Sequence, residues 1–142
     1  MSSDRSAFTA QRGKHPTLLL ILSCPVACFV GALATDITYA STAEMMWADF
    51  SAWLLAAGMV TAVLAVIVWG LGLALRRGSR TSRPAWPVIG GAALVLILGL
   101  LDNLVHSRDA WTSVVPTGLA LSVLTVFVML VTVWFGSASV RS

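Results

Sequence analysis

The sequence predicts an all-α integral membrane protein, a four-helix bundle with both termini in the cytoplasm. Three observations lead there. Of 142 residues, 58% are hydrophobic and only 11% charged, with a mean hydropathy of +0.89, which is too apolar for a water-soluble domain of this size. Four apolar runs, each close to the ~20 residues that cross a bilayer core, are separated by breaks of proline, glycine or charge. Eight of the nine Lys and Arg residues fall in the N-terminal tail, the middle loop and the C-terminal tail. Cationic residues collect on the cytoplasmic side of a membrane, so these three stretches share that side. The net charge of +3 is therefore a topology signal and not a nucleic-acid surface. The expected partner is the lipid bilayer, with no nucleic acid.

Residues 1–16 form a polar, basic tail, with Arg5, Arg12 and Lys14 against Asp4. His15-Pro16 then opens the bundle, which occupies residues 17–135; proline suits a first helical turn because its missing N–H has no partner there anyway. The first span, about 17–35, carries no charge. Pro25 removes one backbone bond inside it, which neighbouring helices can compensate. A secretory signal peptide is the rival reading, with a basic start, an apolar centre and Ala32-Leu33-Ala34 as a small-residue step, but the apolar run exceeds an ordinary signal core. Residues 36–51 read as the first loop: Asp36, Glu44 and Asp49 without Lys or Arg, and Tyr39 and Trp47 as interfacial anchors. Met45-Met46-Trp47 is expected on the membrane surface.

The second span, about 52–75, puts Gly58, Ala62, Ala65, Trp69 and Gly72 on one face, small residues that favour close helix approach. The loop after it holds Arg76, Arg77, Arg80 and Arg83 between Gly78 and the prolines Pro84 and Pro87. Those arginines are expected to contact anionic lipid headgroups, at about 1 kcal/mol each, besides setting the topology. The third span, about 88–105, aligns Gly91, Val95, Gly99, Asp102 and His106 on a narrow stripe. A short link with Arg108, Asp109 and Trp111 follows. Pro116 starts the fourth span, about 114–135, whose Gly118, Ser122, Thr125, Met129 and Thr132 share a face that should point inward. Residues 136–142 are a short tail ending in Arg141-Ser142. The short links make spans two and three, and three and four, antiparallel neighbours.

With this topology Asp36, Glu44, Asp49, Asp102, His106 and Asp109 gather at the outer rim. Ionisable groups at membrane depth are costly and tend to be functional. The binding residues expected there are Asp36, Asp102, Asn103 and His106. A carboxylate–imidazole pair can relay protons, hold a metal or polarise a ligand; the plain alternative is ordinary loop charge in contact with water. His15 and His106 stand at opposite ends of spans about 30 Å long, so one haem cannot use both, and a haem shared across a dimer would need a symmetric pair. Cys24 and Cys28 lie four apart in an apolar run and read as small apolar filler, not as a redox or zinc motif. Gly70-x-Gly72 lies inside a span and is no nucleotide loop. No G-x-S-x-G, H-E-x-x-H or C-x-x-C-H occurs, so no catalytic residue is expected and the protein is read as a non-enzyme. Neither a cofactor nor a metal is named by the sequence.

Several short motifs resemble the bacterial membrane family known as domain of unknown function 2231. His15-Pro16 opens the first span and Asp36 closes it; Trp53 and Gly58 stand early in the second. The fullest stretch runs from Asn103-Leu-Val-His106-Ser-Arg108-Asp109-Ala-Trp111 through Pro116-Thr-Gly118 to Trp134-Phe-Gly136. The sequence departs from that family's pattern where Gly70 is followed by Leu71, Gly72 and Leu73 instead of a Gly-x-x-Asp-like step, and its tail after Trp134 is short. The resemblance implies a four-span bundle of the bacterial inner membrane without an assigned activity. Some relatives are joined to Rieske-type iron–sulphur domains, which implies a membrane redox partner; this chain has no cluster-ligand cysteines. Function is then read as an uncharacterised accessory or binding subunit with a polar site at the outer rim. Proton or ion transport by a homo-oligomer and an electron-transfer membrane subunit are the alternatives.

Overall fold

A computed structural model describes residues 16–75, 86–108 and 114–139. His15 and the basic N-terminal tail, the arginines Arg76, Arg77, Arg80 and Arg83, Asp109 and Trp111 of the third link, and Arg141 lie outside the described residues. The described chain is four helices: α1 (Pro16–Thr42), α2 (Met45–Leu75), α3 (Trp86–His106) and α4 (Leu119–Ser139), with a wide π turn, Val114–Gly118, leading into α4. Val115 there is extended, at φ −119 and ψ 126, as the residue before a proline prefers. Each of the four helices contains a segment long and apolar enough to cross a membrane.

Helix α1 runs well past the expected end of the first span. The loop expected over 36–51 shrinks to Ala43 and Glu44, and Met45-Met46-Trp47 forms the first turn of α2. Hydroxyl side chains explain the extension. Thr38 Oγ1 donates to the Ala34 carbonyl at 2.8 Å, and Ser41 Oγ and Thr42 Oγ1 both donate to Thr38 O, at 2.9 and 2.8 Å. Polar residues that looked like loop thus satisfy themselves on their own helix. The turn closes at Ala43, whose φ of 54 is left-handed, and the Ala43 N–H reaches Tyr39 O at 2.8 Å. A link this short fixes α1 and α2 as an antiparallel hairpin.

Between 17% and 33% of each span is buried within the protein, so most of the apolar side chains face outward. Water would not tolerate such a surface, whereas lipid matches it. Lipid supplies no hydrophobic drive between helices, and contact quality has to hold them together. Two glycines show how. A Cβ on Gly91 would fall 2.1 Å from Thr132 Oγ1, 2.8 Å from its Cγ2 and 3.0 Å from its Cβ, so rotating the threonine gives no relief. A Cβ on Gly99 would lie 2.9 Å from Met59 Sδ and 3.1 Å from the Phe29 ring. Gly91→Ala is expected to destabilise the protein by about 1–3 kcal/mol, seen as an earlier unfolding midpoint in detergent. Thr132→Gly in the same chain should recover most of the loss; an unchanged midpoint for Gly91→Ala alone would show that α3 and α4 do not meet there.

The interior is layered along the bundle axis, and each of the four helices passes from apolar to polar toward the same end. Phe29, Ala32, Leu55, Ala62, Val95, Val126 and Met129 form an apolar core. Next toward the His106 end come the buried polar residues Asp36, Ser51, Asp102, His106, Ser122 and Thr125. Tyr39, Ala48 and Val114, with Met45 and Trp47 against them, close that end. The faces predicted for the third and fourth spans are the buried ones, at Val95, Gly99, Asp102 and His106 and at Gly118, Ser122, Thr125 and Met129. In α2 the predicted face holds through Gly58, Ala62 and Ala65 and then opens: Trp69 and Gly72 are half-buried, and a Cβ on Gly72 would meet nothing within 4 Å.

Candidate functional site

The polar layer centres on side chains from three helices. In α1, Phe29, Ala32, Asp36 and Tyr39 are all buried; their spacing of three and four residues puts the carboxylate on the same seam as the core. Asp36 is therefore inside the bundle, not the charge that ends a span. In α3, Asp102 and His106 are one turn apart on the stripe that faces α1 and α4. In α4, Ser122 lies one turn beyond buried Gly118 on the inward face.

These four side chains meet directly. His106 Nε2 lies 3.0 Å from Asp36 Oδ1. Its Nδ1 lies 3.0 Å from the Asp102 carbonyl and 3.1 Å from Asp102 Oδ1. Ser122 Oγ stands between the two acids, 2.5 Å from Asp36 Oδ2 and 2.8 Å from Asp102 Oδ2. Both carboxyl groups are at 0% exposure, Ser122 at 2% and His106 at 7%. Asp102 Oδ1 makes no hydrogen bond, although it is close to Nδ1, because the N–H on Nδ1 is directed at the carbonyl. Beside this set, Thr35 Oγ1 and Ser51 Oγ hydrogen-bond at 2.7 Å and tie α1 to α2, and Ser51 also reaches the Ala32 carbonyl at 3.3 Å.

The structure thus joins three of the four residues expected to form the site, Asp36, Asp102 and His106. Asn103 is half-buried and falls outside the hydrogen-bonded set, since it sits about 100° round the helix from Asp102. Ser122 takes its place. Its signal in the sequence was its position on the inward face of the fourth span. Glu44 and Asp49 are exposed and belong to the surface. Among the described residues no group of three His, Cys, Asp or Glu is disposed to hold a metal ion; the acids and the imidazole are turned toward one another.

Charges in a low-dielectric interior are tolerated only when paired and hydrogen-bonded. Here the pairing crosses the molecule. Asp36 belongs to the α1–α2 hairpin, while Asp102, His106 and Ser122 belong to α3 and α4, so the contacts to Asp36 clasp the two halves together at one end. Chemically the set offers two carboxyl groups linked by a hydroxyl and an imidazole able to donate at both nitrogens.

These features define a class: a four-span helical membrane protein with a closed acid–imidazole–hydroxyl cluster at one end of its bundle. The chain belongs to the predicted membrane protein family DUF2231, whose family model matches residues 14–142. Neither a curated protein nor a solved structure matches it.

Proposed function

We propose that this is a non-enzymatic accessory protein of the bacterial inner membrane that binds a ligand no larger than an ion. The binding residues are Asp36, Asp102, His106 and Ser122, at the outward-facing end of the bundle. The observation that carries this reading is the closure of four buried polar side chains from three helices at 2.5–3.1 Å. Contacts this short leave no room for a larger molecule among them. The orientation rests on the arginine and lysine distribution, which keeps both chain ends cytoplasmic. The partner that fits the family resemblance is a membrane redox complex, with a homo-oligomer as the other arrangement.

Transport by the single chain is disfavoured by the layer beneath the cluster. Between Thr125 and Thr132 the inward face of α4 carries only Val126 and Met129, packed with Phe29 and Leu55. That leaves about 10 Å of dry helix face, across which no polar group hands an ion onward.

The test uses the full chain purified in mild detergent and reconstituted into liposomes. The thermal midpoint of the wild type should move with pH, and the Asp102→Asn/His106→Gln double variant should lose that response. Proton flux through proteoliposomes should match that of empty vesicles. An identical pH response in wild type and double variant would defeat the binding reading. A clear pH-driven flux would replace it with transport, and a visible absorption spectrum would replace it with electron transfer.

A further inference from the structure

The ligand of this site can be named from its hydrogen-bond directions, and the inference rests on the binding role proposed above. Each short contact needs one hydrogen, and the acceptors fix where the hydrogens sit. The Asp102 carbonyl only accepts, so His106 Nδ1 carries a proton and donates to it, at 3.0 Å. Ser122 has one hydroxyl hydrogen but stands between two carboxyl oxygens, at 2.5 and 2.8 Å. Were both carboxyls ionised, two anions would face each other across a single hydrogen, buried and away from water. That arrangement is among the costliest available to a buried pair, and the usual resolution is for such a pair to share a proton. A carboxylic acid on one side removes the conflict, because its O–H then donates to Ser122 Oγ.

The choice between the two acids follows from their other contacts. Asp36 Oδ1 faces His106 Nε2 at 3.0 Å. With Nδ1 already donating to the carbonyl, an Nε2–H makes the ring an imidazolium; it lies 3.0 Å from Asp36 Oδ1 and 3.1 Å from Asp102 Oδ1, but only Asp36 receives one of its N–H bonds. Asp36 then accepts from both sides, from Nε2–H and from the Ser122 hydroxyl. Asp102 is left as the neutral acid. A separate observation agrees: Asp102 Oδ1 is the one buried side-chain polar atom among the described residues without a hydrogen-bond partner. The ring edge 3.1 Å away offers this oxygen no N–H, and an oxygen that accepts no hydrogen bond is cheaper on a neutral carboxylic acid than on a carboxylate. The charges also balance, with one imidazolium, one carboxylate and one neutral acid.

We infer that the ligand is a proton, held on Asp102 in a one-way chain from Asp102 Oδ2–H through the Ser122 hydroxyl to Asp36 Oδ2, with His106 as the fixed counter-cation. Release breaks the Asp102 O–H bond and forms an O–H bond on an incoming water, leaving two carboxylates against one imidazolium. The groups that face this chain are few. α1 brings Asp36 and, one turn on, Tyr39. α2 brings the hydroxyl of Ser51 and no acid or base, its Asp49 being exposed. α3 brings Asp102 and His106, with Arg108 exposed beyond it. α4 brings Ser122 and Thr125. Among the described residues the excess negative charge after release therefore has no second buried cation beside it, which ties release to loosening of the Asp36 clasp between the two halves.

Infrared difference spectroscopy of the full-length protein in lipid, recorded between neutral and high pH, where exposed carboxylates stay ionised throughout, tests this. The wild type should show one protonated-carboxyl C=O band that shifts in D2O and on labelling with carboxyl-13C aspartate. Asp102→Asn should abolish that band while keeping the fold, because the amide N–H still donates to Ser122. Ser122→Ala should keep the band but displace it. A wild type without a band sensitive to both deuterium and labelled aspartate overturns the inference, and that result needs no variant to fold. So does a band that survives Asp102→Asn. If the thermal midpoint still responds to pH in either case, the binding role stands and only the place of the proton is wrong.

Discussion

Asp36→Ala is expected to destabilise the protein by about 3–5 kcal/mol, the cost of breaking a buried ion pair from one side. The size of the effect separates two pictures of the cluster. Hydrogen bonds between membrane helices contribute on average about 0.6 kcal/mol and at most about 1.7, because the separated helices find other partners in the membrane. Asp36 accepts from His106 and Ser122, on two different helices of the opposite hairpin. Its removal leaves the imidazole buried without its counter-charge, which is a larger loss than two hydrogen bonds. Unfolding of the purified protein in mixed micelles gives the difference directly. The double variant Asp36→Leu/His106→Leu should recover much of it, since an apolar pair of similar volume often serves a buried site as well as an ion pair does. A cost below about 1 kcal/mol for Asp36→Ala would mean that the cluster behaves as a solvated surface pair and clasps nothing.

That clasp was half legible in the sequence. The stripe of Gly91, Val95, Gly99, Asp102 and His106 follows from helical period alone, and the structure buries most of it as read. Asp36 reads from the sequence as a residue of the right end of the bundle but as the start of a loop, because it is the first charge after an apolar run and Glu44 and Asp49 follow it without Lys or Arg. Thr38, Ser41 and Thr42 continue the helix by bonding to their own backbone, and that competition between loop and helix is decided by hydrogen bonds that residue types alone do not reveal. The seam of Phe29, Ala32, Asp36 and Tyr39 carries the missing signal, a charge in phase with the core of its own helix. Ser122 was placed on the correct face, yet nothing in a single chain tells which of several inward hydroxyls will lie between two acids. Asn103 is next to Asp102 in the chain, and one step of helical rotation keeps it out of the hydrogen-bonded set. The lesson is physical: periodicity fixes which face is inward, whereas the partner across the bundle depends on axial register between helices, which no local pattern encodes.

The same register explains the second large effect. Phe29 is 1% exposed, and its ring lies in a slot between glycines of two other helices. A Cβ on Gly58 would stand 3.4 Å from the ring and one on Gly99 3.1 Å. Phe29→Ala is expected to cost about 3 kcal/mol, the lower part of the range for large-to-small aromatic substitutions. The lower part applies because lipid, unlike water, solvates an exposed phenyl ring well, so the loss is mainly of packing contacts. The slot also makes a sign reversal: Gly99→Ala should destabilise the wild type and be neutral or stabilising when Phe29→Ala has emptied the space, into which the flexible Met59 side chain, 2.9 Å from the added Cβ, can then turn. A cycle of the four proteins measures that coupling, and additivity would show that the ring does not fill the gap between these helices. Phe29 also belongs to the apolar layer that separates Asp36 from the far half of the bundle, about two turns along α1 from Asp36. Emptying it leaves a void in the apolar layer that holds Met129 and Leu55. Phe29→Ala should therefore raise proton leakage in proteoliposomes above the wild-type level, while Phe29→Leu, which keeps most of the volume, should leave it near that level. Loss of stability with no leakage would place the seal elsewhere, on the side chains of α4.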